Sequence, residues 1–134
     1  MSKNWVEDIA VMHEKYKVHE SVSKFDKEKL RAFLHFRIDF LQEELDELKL
    51  AYDNGGENAA DDIVDALIDL CVVSIGTLDA YKVDAYVAWD RVLKANMMKE
   101  VGVKASRPNA LGLPDLIKPL GWTAPTHKDN VGLL

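Results

Sequence analysis

The chain has 134 residues, 48% of them hydrophobic, which suits one globular domain with a core of its own. A net charge of −6 argues against a polymeric nucleic-acid partner, because phosphate-backbone binding needs a basic footprint. It leaves small anionic substrates open, since bound cations reverse the sign of a local field.

Cys71 is the single cysteine and falls mid-helix among apolar residues, so an inert buried thiol and no internal disulfide are expected. No signal-peptide pattern opens the chain, no apolar run is long enough to span a bilayer, and no internal repeat is present. The expectation is a soluble, cytoplasmic protein.

Residues 4–17 read as a first helix, with Trp5, Ile9, Met12, His13 and Tyr16 on one broad face. Core packing accounts for that face; Trp5, His13 or Tyr16 could alternatively stack on a planar ligand. His13 and His19 lack a Cys or acid arrangement of zinc-ligand type, so no zinc site is expected there. Val18–Ser23 reads as a loop, after which Asp26 is a plausible N-cap and Glu28 favours the helix dipole.

The second helix should run from about Lys27 to Tyr52. Leu34, Ile38, Leu41, Leu45, Leu48 and Tyr52 alternate at spacings of four and three, the stripe of a packed bundle helix. The stripe beside it reads Phe33, Arg37, Phe40, Glu44, Glu47, Ala51. Each member of this stripe precedes a seam residue by one position, so Glu44 and Glu47 lie on a stripe about 100° from the expected seam and not on the opposite, solvated face. Asp46 and Lys49 face away.

Asn54-Gly55-Gly56 breaks the helix, and Asn58 or Asp61 can cap the next one. This third helix, to about Ala80, is apolar nearly all round and is expected to be central and buried. It nevertheless carries Asp62, Asp65 and Asp69 along one edge, and aspartate is rarely buried without a partner. The partner should be a cation: Arg37, Lys99 or a metal. Gly76, mid-helix, points to a close helix crossing.

Glu44 and Glu47 stand three residues apart, as do Asp62 and Asp65, so each helix can aim a carboxylate pair in one direction. Antiparallel pairing would bring four carboxylates together, an arrangement that requires a cation between them. An all-oxygen cage suits a hard ion such as Mg²⁺.

A fourth helix, capped by Asp84, should end near Lys99, with Trp89, Val92, Asn96 and Lys99 on one face. Residues 101–134, with Pro108, Pro114, Pro119, Pro125 and four glycines, show no periodicity. They read as an extended tail that packs on the bundle or a neighbouring subunit, because Leu111, Leu113, Ile117 and Trp122 are retained. The expected architecture is all-α: a four-helix bundle over residues 1–100 with a Pro/Gly-rich C-terminal tail over 101–134.

Glu43-Glu44-Leu45-Asp46-Glu47 followed by Asp62-Ile63-Val64-Asp65 resembles the EExxE…ExxD signature of MazG-like, all-α nucleoside triphosphate pyrophosphohydrolases. Arg37-xx-Phe40-Leu41, the run DALIDLCVVSIGT at 65–77, and Ala95-Asn96-Met97-Met98-Lys99 extend the likeness, which is greatest to the small phage-type members. Two departures stand out: Asp62 replaces a glutamate, and a glycine common before the fourth helix is missing.

The resemblance implies hydrolysis of a nucleoside triphosphate, ribo- or deoxyribo-, to the monophosphate and pyrophosphate, with deoxynucleotides favoured by the phage-type likeness. It implies Glu44, Glu47, Asp62 and Asp65 as ligands of Mg²⁺ or Mn²⁺ and Glu43 as general base for the attacking water. Asn96 and Lys99 would hold the phosphates, with Arg37 and Asp69 supporting the ligands or Arg37 merely paired with an acid. Trp5 and His13 are candidates for the base. It further implies a homodimer or dimer of dimers and, for a phage-encoded chain, the host cytoplasm.

Three other possibilities are open to weighing. A phosphoribosyl-ATP pyrophosphohydrolase-like enzyme would share the cage. A non-enzymatic helical interaction module would use the acids as a solvated or partner-binding face. A di-iron carboxylate bundle needs Glu-x-x-His pairs that are not present.

Overall fold

A computed structural model describes residues 1–107, 111–112 and 115–134. Pro108, Leu113 and Pro114, assigned above to the tail, lie outside the described residues. The order is α1 (Trp5–Lys15), α2 (Val18–Val22), α3 (Lys27–Asn54), α4 (Ala59–Ala80), α5 (Ala85–Met97), β1 (Glu100–Gly102) and β2 (Asp115–Ile117). No described helix is long and apolar enough to cross a membrane. The chain divides into two compact units, residues 1–85 with 131–134 and residues 86–130.

In the first unit α4 is the hub, with α3, α1 and α2 all packed against it. Its neighbours begin where capping chemistry places them. Asn4 accepts a hydrogen bond from the Glu7 N–H at 3.2 Å, and Asp26 accepts one from Lys29 at 2.9 Å, which satisfies amides that a helix start leaves free. Gly55 ends α3 at φ 58°, a left-handed conformation that glycine adopts without penalty. Past α4, Tyr81 is fully buried, its hydroxyl donating to the Leu30 carbonyl and its ring stacked on Phe33 at 5.7 Å. That burial contributes about 2–3 kcal/mol. Residues 131–134 close on the same point, where Leu133 N–H donates to the Tyr81 carbonyl at 2.8 Å.

The long helix α3 sits rotated from its expected seam. The face turned to the protein carries Phe33, Arg37, Phe40, Glu44 and buried Ala51, alongside Leu34, Leu41 and Leu48. Ile38 and Tyr52, on the expected apolar stripe, are 53% and 78% exposed. The buried face is thus turned roughly 60° toward the Arg37–Glu44 stripe, at ~100° per residue. Nor is α4 sealed all round, since Val64, Leu67 and Ile68 are exposed in the single chain. Both departures have one cause: apolar periodicity marks faces that avoid water without distinguishing which surface covers them.

Residues 18–23, expected as a loop, contain the one-turn-plus helix α2, entered through Lys17 at φ 62°. In the second unit, β1 and β2 pair antiparallel with Glu100 opposite Ile117, so the region expected to be an extended tail holds a small sheet. Gly102 is needed there, because a Cβ would stand 2.7 Å from the Ile117 side chain. Within the same unit, Trp122 Nε1–H donates to the Ala95 carbonyl at 2.7 Å, and Arg91 grips Asp129 through two bonds of 2.7 and 2.8 Å.

Candidate active site

The pairing of α3 with α4 brings the acids of the two helices together around Glu44. Glu44 is half-buried, and its Oε2 is enclosed without a hydrogen-bond partner among the described residues. Burial pushes its carboxyl above the usual range, and the charges of Glu47, Asp69, Glu43 and Asp65 push it further. A buried, unpartnered carboxylate oxygen facing four more carboxylates is a poor arrangement for a bare protein. It is a good one for a cation that takes oxygen ligands, so the donor set fits Mg²⁺ or Mn²⁺.

The placement of the expected residues differs in detail. Glu47 and Asp65 are exposed and Asp69 is half-buried, so Asp69 stands nearer the protected end of the cluster. Asp62, exposed in the first turn of α4, is not among the charges that act on Glu44. Among the described residues, Arg37 forms no ion pair with an acid. Its Nε–H donates to Thr77 Oγ1 and an NH₂ group to the Val73 carbonyl, both at 3.0 Å, and the guanidinium lies 5.6 Å from the Phe40 ring centre. Arg37 therefore ties α3 to α4 below the acids. Burial lowers its pKa.

Gly76 explains how that crossing fits. A Cβ there would stand 2.8 Å from Arg37 NH₂ and 3.2 Å from the His13 ring. The close crossing expected from Gly76 is thus formed by side chains of α3 and α1 resting on the α4 backbone.

Beside the acid row, α1 and α4 enclose an apolar pocket of about 190 Å³. Trp5, Asp8 and Ile9 form one wall, with Ile68, Val72 and Ile75 opposite and Cys71 at the side. Val72 lies two turns from Asp65 on the same face of α4, so the pocket continues along the edge that carries the acids. Trp5, which lines this pocket, is 54% exposed. His13 does not line this pocket: it is 5% exposed, with Nδ1 2.7 Å from Asp79 Oδ2.

His19 reaches the same oxygen through Nε2 at 2.6 Å. This His13–Asp79–His19 cluster was not anticipated, because Asp79 is separated from the histidines by 66 and 60 residues. A polar residue late in an otherwise apolar helix was the one signal available for it.

Asn96 and Lys99 belong to the second unit, where Asn96 is exposed on α5 and Lys99 Nζ stands 5.3 Å over the Trp122 ring. Lys118 approaches the same ring at 4.9 Å.

No curated protein matches the chain, and no solved structure does. A family model does, over residues 12–96, which take in the acid residues of α3 and α4, Arg37, the His13–Asp79–His19 cluster and Asn96. The chain belongs to the phosphoribosyl-ATP pyrophosphohydrolase family, a branch of the MazG-like all-α pyrophosphohydrolases that hydrolyse phosphoanhydride bonds of nucleotides.

Proposed function

We propose that the protein hydrolyses nucleoside triphosphates, deoxynucleotides first among them, between the α- and β-phosphorus atoms, with release of the monophosphate and pyrophosphate. The observation that carries this is the enclosed, unpartnered Glu44 oxygen within a ring of acids. Glu44, Glu47 and Asp65 would hold Mg²⁺ or Mn²⁺, with Asp69 at the inner end and Asp62 as the outer arm. The ion would supply charge neutralisation at the phosphate oxygens and acidify water.

The remaining work falls to the chain's own groups. Glu43, exposed next to Glu44, is the base that takes the proton from attacking water. Lys99 and Asn96 bind phosphate, Lys99 as a flexible point charge. The α1–α4 pocket receives the base, with Trp5 offering a stacking face worth about 1–3 kcal/mol.

The family's description favours a second substrate, phosphoribosyl-ATP, and the pocket bears on the choice. Among the described residues its one charged wall residue is Asp8, and no Lys, Arg or His lines it. Such a lining accepts a bare base and repels the additional phosphate of a phosphoribosyl-adenine. A panel of ribo- and deoxyribonucleoside triphosphates beside phosphoribosyl-ATP, with pyrophosphate detection, tests this. Faster turnover of phosphoribosyl-ATP would overturn the assignment.

The exposed Val64, Leu67 and Ile68 support a homodimer or dimer of dimers. Light scattering at micromolar concentration should give two or four times 15.1 kDa. A monomer mass would contradict it.

A further inference from the structure

Outside the acid cluster, three side chains from three different helices converge on one point. His13 of α1 and His19 of α2 both direct a ring nitrogen at Oδ2 of Asp79 on α4, at 2.7 and 2.6 Å. The three ligand-type atoms lie within 4.8 Å of one another, all in the first unit, and none belongs to the acid cluster. We propose that His13, His19 and Asp79 form a second metal site, selective for Zn²⁺ or a similar borderline-soft divalent ion.

The chemistry of the donor set argues for this selectivity. Two imidazoles and one carboxylate are ligands for zinc, whereas Mg²⁺ prefers oxygen alone. Three protein ligands leave one tetrahedral position for water, and His19, the most open of the three at 32% side-chain exposure, lies on the solvent side. With bonds of about 2.0 Å, tetrahedral ligand atoms stand roughly 3.3 Å apart. The present spacings are hydrogen-bond lengths, so accommodating an ion requires each nitrogen to withdraw by roughly 0.6 Å. Rotation of the partly exposed His19 and of the Asp79 carboxylate supplies that movement.

Two features prepare the site. Lys17 adopts φ 62°, a left-handed conformation that a non-glycine residue rarely takes, and this sharp break between α1 and α2 turns His19 back toward Asp79. Glu14 Oε2 lies 3.4 Å from His19 Nδ1. On binding, each ring gives up the hydrogen it donates to Asp79: a neutral ring carries its remaining hydrogen on the far nitrogen, Nε2 in His13 and Nδ1 in His19, and a ring protonated on both nitrogens releases one proton to solvent. Glu14, on the far nitrogen of His19, is the partner that holds the metal-binding tautomer once Nε2 ligates.

The test is a Zn²⁺ titration of the full-length protein in competition with a chromophoric zinc chelator, with Mg²⁺ in excess to occupy the acid cluster. One Zn²⁺ per chain should bind. His19→Ala and Asp79→Asn should each weaken it at least about tenfold, while Glu44→Gln leaves it unchanged. His19→Ala removes a partly exposed side chain, and its helical circular dichroism verifies folding. Absence of stoichiometric Zn²⁺ binding would overturn the proposal. So would binding that survives both variants, or that disappears with Glu44→Gln.

Discussion

Replacing Glu44 by Gln should make the metal-free protein more stable and the metal-loaded protein less so. In the folded chain Glu44 Oε2 is enclosed without a partner, and burial plus four neighbouring acids raise its pKa above the ordinary 4.5. An unsatisfied buried group of this kind costs about 1–3 kcal/mol. Glutamine keeps the shape, removes the charge and gains an amide that can donate to the surrounding carboxylates. At roughly 4 °C per kcal/mol for a chain of this size, the variant should melt about 4–12 °C higher in EDTA at pH 7.5.

The pH dependence has a definite sign. A carboxyl raised on folding binds its proton more tightly in the folded state, so stability falls as pH rises from the unfolded value through the folded one. The advantage of Glu44→Gln should therefore vanish near pH 4 and be complete at neutral pH. In Mg²⁺ at a hundred times its dissociation constant, the wild type should gain about 2.7 kcal/mol. The variant should gain little, so the difference in melting temperature shrinks sharply and reverses wherever the variant's advantage in EDTA is below about 2.7 kcal/mol. A variant that melts lower in EDTA and still gains as much from Mg²⁺ would refute the assignment of Glu44 to a cation site.

Asp62→Ala should abolish most activity and Asp61→Ala little, because the signature spacing of three places Asp62 on the edge with Asp65; the opposite outcome in a pyrophosphate-release assay would mean a wrong register on α4. Gly76→Ala should destabilise by about 0.5–2 kcal/mol in urea unfolding, overpacking against Arg37 and His13 outweighing the helix propensity of alanine. Lys99→Ala should lower kcat/KM at least about tenfold while the Mg²⁺-induced rise in melting temperature is kept. Asp129, held at about 2 mainly by its hydrogen bonds with Arg91, supports folding above the ordinary carboxylate range and loses that role as pH falls toward 2. The difference in urea midpoint between wild type and Asp129→Asn should be constant from pH 5 to 7 and narrow below about pH 4.

The long helices could be read from the chain because their signals are local: Asp26 caps one, Gly55 ends it, and the period between them is uninterrupted. The acid row was readable for the same reason, as the pairs sit at i and i+3. The rotation of α3 was not. Ile38 and Tyr52 continue the apolar period as well as Leu34 and Leu41 do, and only a three-dimensional neighbour reveals that Arg37 and Glu44 face α4 instead. The segments α2, β1 and β2 are five, three and three residues long, too short for any period to develop. Asp79 and its histidines are joined by the packing of α1 and α2 on α4, which no spacing along the chain encodes.

The most direct measurement is the product analysis of a deoxynucleoside triphosphate incubated with the protein and Mg²⁺, resolved by ³¹P NMR, with EDTA and Glu44→Gln as controls. Deoxynucleoside monophosphate and pyrophosphate should accumulate together, and both controls should stop the reaction. Deoxynucleoside diphosphate with orthophosphate as the first products, or turnover that persists in EDTA, would contradict the account.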